Sequence, residues 1–238
     1  MAVDLSRRDL EWEGCFNVRD LGGLPLVAGG ETRFGALVRS DNPGKLTEEG
    51  LAAMRAHGVR SVVDLRHEVE LAERPPLEVC DVVNVPVIDF GDEEFWARWR
   101  GVRDTPRFYA SALDRWPDRF AAAVSAVARA RPGGVLVHCE VGRDRTGLVC
   151  ALVLSVAGVP PEAIADDYAL SAERLAPLYA EWLRDEGLDE ETRARLEREN
   201  VSEADAMAYV LERVDVAEYL LRAGVTEHDL QRIRDRLT

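Results

Sequence analysis

Short runs of apolar, β-branched residues alternate with helix-spaced patterns over the first half of the chain. Val59 to Leu65 and Val82 to Ile88 are dense in valine and read as buried strands. Ala36 to Arg39 is a weaker strand candidate. Thr47 to His57 has helical spacing, with Thr47 as N-cap, Glu48 and Glu49 in the first turn and Gly58 as the stop. Asp, Gly, Trp and Arg dominate residues 89–108, where an irregular excursion with one short helix is expected. Pro117 to Ala130 is an alanine-rich helix, and Val135 to Val137 follow Pro132-Gly133-Gly134 as a short apolar strand. Everything after residue 145 reads as helical, punctuated at Gly158, Pro160, Pro161, Pro177, Gly187 and Gly224. The alternation predicts an α/β fold: a central, mostly parallel sheet flanked by helices, with a helical C-terminal half. With no repeat, low-complexity tract or linker in view, residues 1–238 are expected to form a single domain, with 159–238 as a helical cap or extension.

Composition narrows the partners. Hydrophobic content of 47% with 31% charged residues is that of a soluble globular protein. No apolar run reaches the roughly 20 residues a membrane-spanning helix needs, and the first residues contain no apolar signal core, so a cytoplasmic location is expected. Thirty basic against 44 acidic residues leave a net charge of −14. That field repels nucleic acid and anionic membranes at long range, so neither is expected as a partner. Any phosphate chemistry must then rest on a local positive site. Cys15, Cys80, Cys139 and Cys150 lie far apart and make no metal-type pair. Reduced thiols, without metal or cofactor, are the expectation.

One stretch carries chemistry. Val135-Leu-Val-His-Cys-Glu-Val-Gly-Arg-Asp-Arg-Thr-Gly147 runs from a buried strand through a tight loop into a helix that is apolar almost all round. Cys139 opens the loop and Arg145 closes it, with five residues between them. Backbone N–H groups of Glu140, Val141, Gly142 and Arg143, together with the N-terminus of the next helix, are then expected to line a cup suited to a tetrahedral dianion. Arg145 adds a bidentate, permanently charged fork. The same positive field favours a nucleophilic sulfur at Cys139 for in-line attack on phosphorus. Thr146 stands where its hydroxyl can stabilise that sulfur as a leaving group, while Gly142 and Gly147 allow close approach. A buried structural cysteine beside a glycine turn is the bland alternative, and it leaves the Cys–Arg spacing unexplained. Cys150, inside the apolar helix, is read as core.

His138-Cys-Glu-Val-Gly-Arg-Asp-Arg-Thr-Gly147 resembles the phosphate-binding loop of the protein tyrosine phosphatase superfamily, and in particular its bacterial branch, which has a mycobacterial tyrosine phosphatase among its members. Phe16-Asn-Val-Arg-Asp-Leu-Gly-Gly23, Val38-Arg-Ser40, Val63-Asp-Leu-Arg66, Ile164-Ala-Asp-Asp-Tyr168 and Glu218-Tyr-Leu-Leu-Arg-Ala-Gly-Val-Thr226 are similar to further motifs of that branch, so the likeness spans nearly the whole chain. It implies a phosphomonoester hydrolase with a cysteinyl-phosphate intermediate, acting on a phosphorylated protein or small molecule. It also implies that Asp144 is the catalytic acid. Two departures stand out. Arg143 occupies a position where the branch commonly has lysine, a residue linked with phosphoinositide head groups. Residues 89–108 are short where the mycobacterial enzyme carries a helical lid, which implies a more open site.

Other acids compete with Asp144. Trp116-Pro117-Asp118 matches the mobile acid loop of eukaryotic tyrosine phosphatases. But Asp118 precedes Cys139 by only 21 positions, and a helix and a strand use nearly all of them. Pro117 at the first helical position and Asp118 in the first turn read as an ordinary helix start. Asp64, at the end of a strand with Arg66 beside it, is either a second candidate acid facing the substrate or a structural anchor. Asn17, Arg19 and Asp20 read as structural. Among rival functions, sulfur transfer of the rhodanese type uses a shorter loop without the Arg-Thr-Gly ending. A catalytically idle phosphate-binding module would not need both Cys139 and Arg145. Val216 to Leu237 imitates a helix-turn-helix, yet Glu227, Asp229 and Asp235 deny it a positive recognition face.

Overall fold

The computed structural model describes residues 7–77, 80–99, 106–185 and 203–238. Five strands form one sheet: β1 (Arg19–Asp20), β2 (Leu37–Ser40), β3 (Val59–Asp64), β4 (Asp81–Asn84) and β5 (Gly134–His138). Their order is β1-β2-β5-β3-β4, and only β1 runs antiparallel to its neighbour. β5 therefore inserts between β2 and β3. Its last residue, His138, lies level with Ser40 on one side and Asp64 on the other. Three strand ends thus open at one edge, which is where parallel α/β sheets bind ligands.

Period-two alternation explains the layering. Val135 and Val137 of β5 point into one apolar cluster and Leu136 into the other; Leu37 and Val38 of β2 divide in the same way. Helix α1 (Glu48–Ala56) covers the smaller face with Met54. Its start is the expected one, Thr47 accepting a hydrogen bond from the Gly50 N–H. Helices α5 (Pro117–Arg129) and α6 (Asp144–Ala157) fill the larger face. Every residue of α6 from Thr146 to Leu154 is buried.

The C-terminal half is helical among the described residues: α7 (Pro161–Asp185), α8 (Glu203–Arg213), α9 (Val216–Arg222) and α10 (Glu227–Leu237). Leu220 of α9 and Leu230, Ile233 and Leu237 of α10 join the core cluster with α5 and α6. The apparent helix-turn-helix is thus spent on packing. No helix among the described residues is long and apolar enough to cross a membrane.

Several expectations need correction. Val82 to Ile88 is not a buried strand. β4 stops at Asn84 on the sheet edge and leaves Val83 49% exposed. Pro86 has no N–H to extend the ladder; Val87 and Ile88 are buried as irregular chain. Pro177 does not interrupt α7, which runs through it, with Leu175 and Leu178 buried on either side. Gly187 lies outside the described residues. The short helix expected in 89–108 is α3 (Glu93–Trp99), and a further helix, α4 (Pro106–Arg115), starts within the same region.

Candidate active site

The loop after β5 is built by disposing of its carbonyl oxygens. His138 Nδ1 lies 3.0 Å from the Cys139 carbonyl, and the Asn42 N–H donates to that of Glu140 at 3.0 Å. Asn17 Nδ2 donates to Val141 and Gly142 at 3.2 and 3.0 Å. Arg39 Nη2 donates to Gly142 and Arg143 at 2.9 and 3.2 Å. In a planar trans peptide the N–H of the next residue points opposite to the C=O. Five carbonyls fastened to partners around the loop therefore turn the N–H groups of residues 140–144 away from those partners. Gly142 makes the turn possible. It sits at φ +68°, and a Cβ there would come within 2.2 Å of the Ser40 carbonyl oxygen.

Cys139 lies at the base of this loop, 1% exposed. Arg145, in the first turn of α6, donates from Nη1 and Nη2 to the two carboxylate oxygens of Glu70 at 2.6 and 2.7 Å. Of the five guanidinium protons, this end-on pair spends two, from Nη1 and Nη2. Burial works against the charge on Arg145, but the nearby Cys139 and Glu70 hold it above its ordinary value. Burial alone would likewise raise the Glu70 carboxyl, and its bonds to Arg145 bring it below the usual carboxylate range. Glu70 is aimed by helix α2 (Glu68–Glu73), where it reaches back to the His67 N–H at 2.8 Å in a capping box.

Behind the loop lies a buried charge cluster. Asp167 of α7 accepts bonds from Arg8, Arg19 and Arg39, and all four side chains are at most 2% exposed. Burial opposes the Asp167 charge, and the three guanidinium groups still hold its carboxyl far below the ordinary range. Arg39 thus links the cluster to the loop carbonyls.

The residues that the motif singled out occupy distinct places. Glu140 contributes backbone; its side chain turns to Asn42 and Arg74 at 2.9 and 2.8 Å. Arg143 is the N-cap position of α6, and its Nε stands 3.8 Å from Asp144. Thr146 is fully buried, and its hydroxyl has no hydrogen-bond partner among the described residues. The Gly147 N–H is taken by the Arg143 carbonyl at 2.7 Å and is spent within the first turn of α6. Instead, a Cβ at Gly147 would meet the Tyr168 ring at 2.5 Å. Asp64 is fully buried, and Arg66 occupies both of its oxygens from its backbone N–H, Nε and Nη2 at 2.7 to 3.2 Å. Burial opposes its charge, yet Arg66 and His138 hold the carboxyl below its ordinary value. Of the two readings open for Asp64, this environment fits the anchor and not a substrate contact or proton donor.

Asp118 is exposed in the first turn of α5, one residue after Pro117 at its start, as an ordinary helix opening requires. Asn17 and Arg19 brace the loop and the Asp167 cluster, while Asp20 accepts from the Gly22 and Gly35 N–H groups at 2.7 Å each.

Asp144, at the first position of α6, is 24% exposed. Its Oδ1 accepts a bond from Tyr168 Oη at 3.0 Å and another from Tyr109 Oη. Beside Arg145 stands an aromatic wall. The Phe90 ring, 40% exposed, is centred 5.7 Å from the Arg145 guanidinium carbon, 5.0 Å from His67 and 5.9 Å from Trp96.

Glu70, Tyr109 and Phe90 carry no mark in the sequence that sets them apart as site residues, although Glu70 has a readable cue in the His67-x-x-Glu70 capping pattern. Arg39, Asp167 and Tyr168 lie inside recognised motifs, but the motifs alone assign them no role.

The sequence resembles those of known proteins. A protein of Cupriavidus necator with the provisional name tyrosine-protein phosphatase is 32% identical over 183 residues, covering 71% of this chain and 65% of its own. A tyrosine-protein phosphatase of Nostoc commune is 32% identical over 145 residues, 59% of this chain and 49% of its own. The triple specificity protein phosphatase PtpB of Mycobacterium tuberculosis is 30% identical over 203 residues, 71% of each chain. The chain thus spans from half to about two-thirds of the length of the first two relatives. Residues 10–238 match the tyrosine phosphatase family along their whole extent, and the chain belongs to that family.

Proposed function

We propose that the protein hydrolyses phosphomonoesters through a cysteinyl-phosphate intermediate, with phosphotyrosine or another aryl phosphate as the preferred substrate. The carrying observation is the loop: its five carbonyls are bound to partners around it, which leaves the N–H groups of residues 140–144 to line a cup with Cys139 at its base, and Arg145 is held by Glu70 through two of its protons. In this scheme the Cys139 sulfur attacks phosphorus in line. As the P–O bond breaks, the Asp144 carboxyl gives its proton to the leaving oxygen, releasing an alcohol or phenol. Water then attacks the phosphocysteine, its proton passes to the Asp144 carboxylate, and the sulfur leaves with both electrons of the S–P bond. The balance is one ester and one water consumed, one alcohol and one phosphate formed. No step calls on a metal ion.

Two further features support the reading. The Thr146 hydroxyl, buried without a partner among the described residues, is suited to the departing sulfur. The Phe90 wall offers an apolar face to an aromatic leaving group, since aromatic pairs gain roughly 0.5–1.5 kcal/mol beyond area burial. The relatives' names, tyrosine-protein phosphatase and triple specificity protein phosphatase, fit that substrate class.

Cys139→Ser tests the scheme. Turnover of an aryl phosphate should be abolished, while calorimetry still detects phosphate or vanadate binding to the intact cup. Rapid quench with labelled substrate should leave a phosphoryl group on the native chain and none on the variant. Substantial activity in Cys139→Ser would sink the mechanism.

A further inference from the structure

We infer that Tyr109 and Tyr168 are positioning residues that hold the Asp144 carboxyl in the orientation from which it transfers its proton. The inference rests on Asp144 being the acid. Aspartate at the start of a helix is ordinarily free to turn toward solvent or toward the helix N–H groups. Asp144 is not. Tyr168 Oη donates to its Oδ1 at 3.0 Å, Tyr109 Oη donates to the same atom, and the two phenol oxygens are 2.6 Å apart.

The phenols come from different helices, α4 and α7, and are 0% and 1% exposed. Their rings meet edge to face at 6.1 Å and 81°. The Tyr168 ring is further fixed against Gly147, where a Cβ would be 2.5 Å away, and lies 5.9 Å from the Arg39 guanidinium carbon. Both donors are therefore rigid, as a positioning device must be.

A purely structural need would be met more simply. Two buried phenols 2.6 Å apart can bond to each other, and a carboxyl that is 24% exposed has water within reach. Yet both hydroxyls converge on one oxygen of the group beside the cup. Anchoring Oδ1 fixes both side-chain torsions of Asp144 and assigns the transferable proton to Oδ2. The phenolic protons stay on the phenols throughout. The anchor also opposes a competing geometry, because a cation faces the same carboxyl: Arg143 Nε is 3.8 Å from Oδ1. Rotation toward it would turn the acid from the leaving group, and a misplacement of about 1 Å can cost on the order of 100-fold.

The experiment compares Tyr109→Phe, Tyr168→Phe and the double variant across nitrophenyl, phenyl and alkyl phosphates. Asp144→Asn sets the full scale, a kcat loss of roughly 10²–10⁴-fold for the poor leaving groups and little for nitrophenyl phosphate. Each Phe variant should reproduce a part of that pattern, about 10-fold or more on phenyl and alkyl esters, with vanadate affinity unchanged. In the Asp144→Asn background the Phe substitutions should add nothing, since only a shared pathway removes additivity. Asp118→Asn, on the exposed start of α5, should match the native protein on every ester. If Asp144→Asn shows no leaving-group dependence, the acid assignment fails. If Asp144→Asn shows it but the Phe variants lose nothing, or lose equally on all esters, the acid stands and the positioning role is overturned. The single variants carry the test should the double variant not fold.

Discussion

Replacing Asp167 with asparagine should destabilise the protein severely although the side chain keeps its shape. In the native state one fully buried carboxylate is shared by Arg8, Arg19 and Arg39, each at most 2% exposed. Asparagine leaves three buried cations without their anion, and breaking even one buried pair in this way costs about 3–5 kcal/mol. At roughly 2–4 °C per kcal/mol for a chain of this size, the melting temperature should fall by about 6–20 °C. Thermal unfolding followed by circular dichroism measures it directly. The pH dependence identifies the cause. Asp167 titrates far lower in the folded state than the value of about 3.9 it takes unfolded. Its stabilisation is therefore complete above the unfolded value and is lost as the pH falls through the folded one. The gap between native and variant should be constant from about pH 8 to pH 5 and should close only well below pH 4. A loss under about 1 kcal/mol, the size of an exposed ion pair, would refute the idea that this cluster holds the molecule together. So would a gap that stayed unchanged into strong acid.

Glu70→Gln should keep the fold but loosen Arg145, lowering kcat/KM by about 10–100-fold if a charged hydrogen-bond pair is worth roughly 1.5–3 kcal/mol; steady-state kinetics on an aryl phosphate reads it. Gly142→Ala should cripple the loop, because the φ of +68° and a contact of 2.2 Å to the Ser40 carbonyl oxygen cannot both be kept; loss of both vanadate binding and turnover is expected. Soluble aryl phosphates should be better substrates than phosphoinositides in vesicles, since a net charge of −14 opposes an anionic bilayer while small esters reach the cup within a screening length of roughly 8 Å. Parallel kcat/KM measurements at physiological salt decide it, and a clear preference for vesicle-borne phosphoinositide would overturn the argument.

What was legible in the chain depended on how far apart the interacting residues lie. The strand at Val59, the α1 start at Thr47, the alanine-rich α5 and the loop opening at Cys139 are specified by neighbours in sequence and begin where they are expected, although Arg145, expected to close the loop, stands in the first turn of α6. β1 is only two polar residues, Arg19 and Asp20, and no hydrophobic pattern could announce it. α4 is only partly covered by the irregular reading of 89–108: its start and Phe108 fall there, while Tyr109, Ala112 and Leu113, also buried, lie beyond it. Pro177 misled because a local rule about helix breaking was overridden by tertiary packing.

The supporting shell of the site raises a deeper difficulty. Asn17, Arg39 and Asp167 are polar residues of the kind usually found in solvent, and here they are almost wholly buried. Their burial follows from the loop itself. The five peptides from Cys139 to Arg143 turn their carbonyls outward from the loop, and buried carbonyls cannot be left without donors. Asn17 and Arg39 supply donors for three of them, Val141, Gly142 and Arg143, across more than 100 positions of sequence. An arginine recruited for that purpose brings a charge that must in turn be neutralised without water, and Asp167 does so for three at once. The loop after β5 is thus one end of a chain of requirements whose other end is a carboxylate on α7. The loop motif discloses the first link, and only the folded arrangement discloses the others.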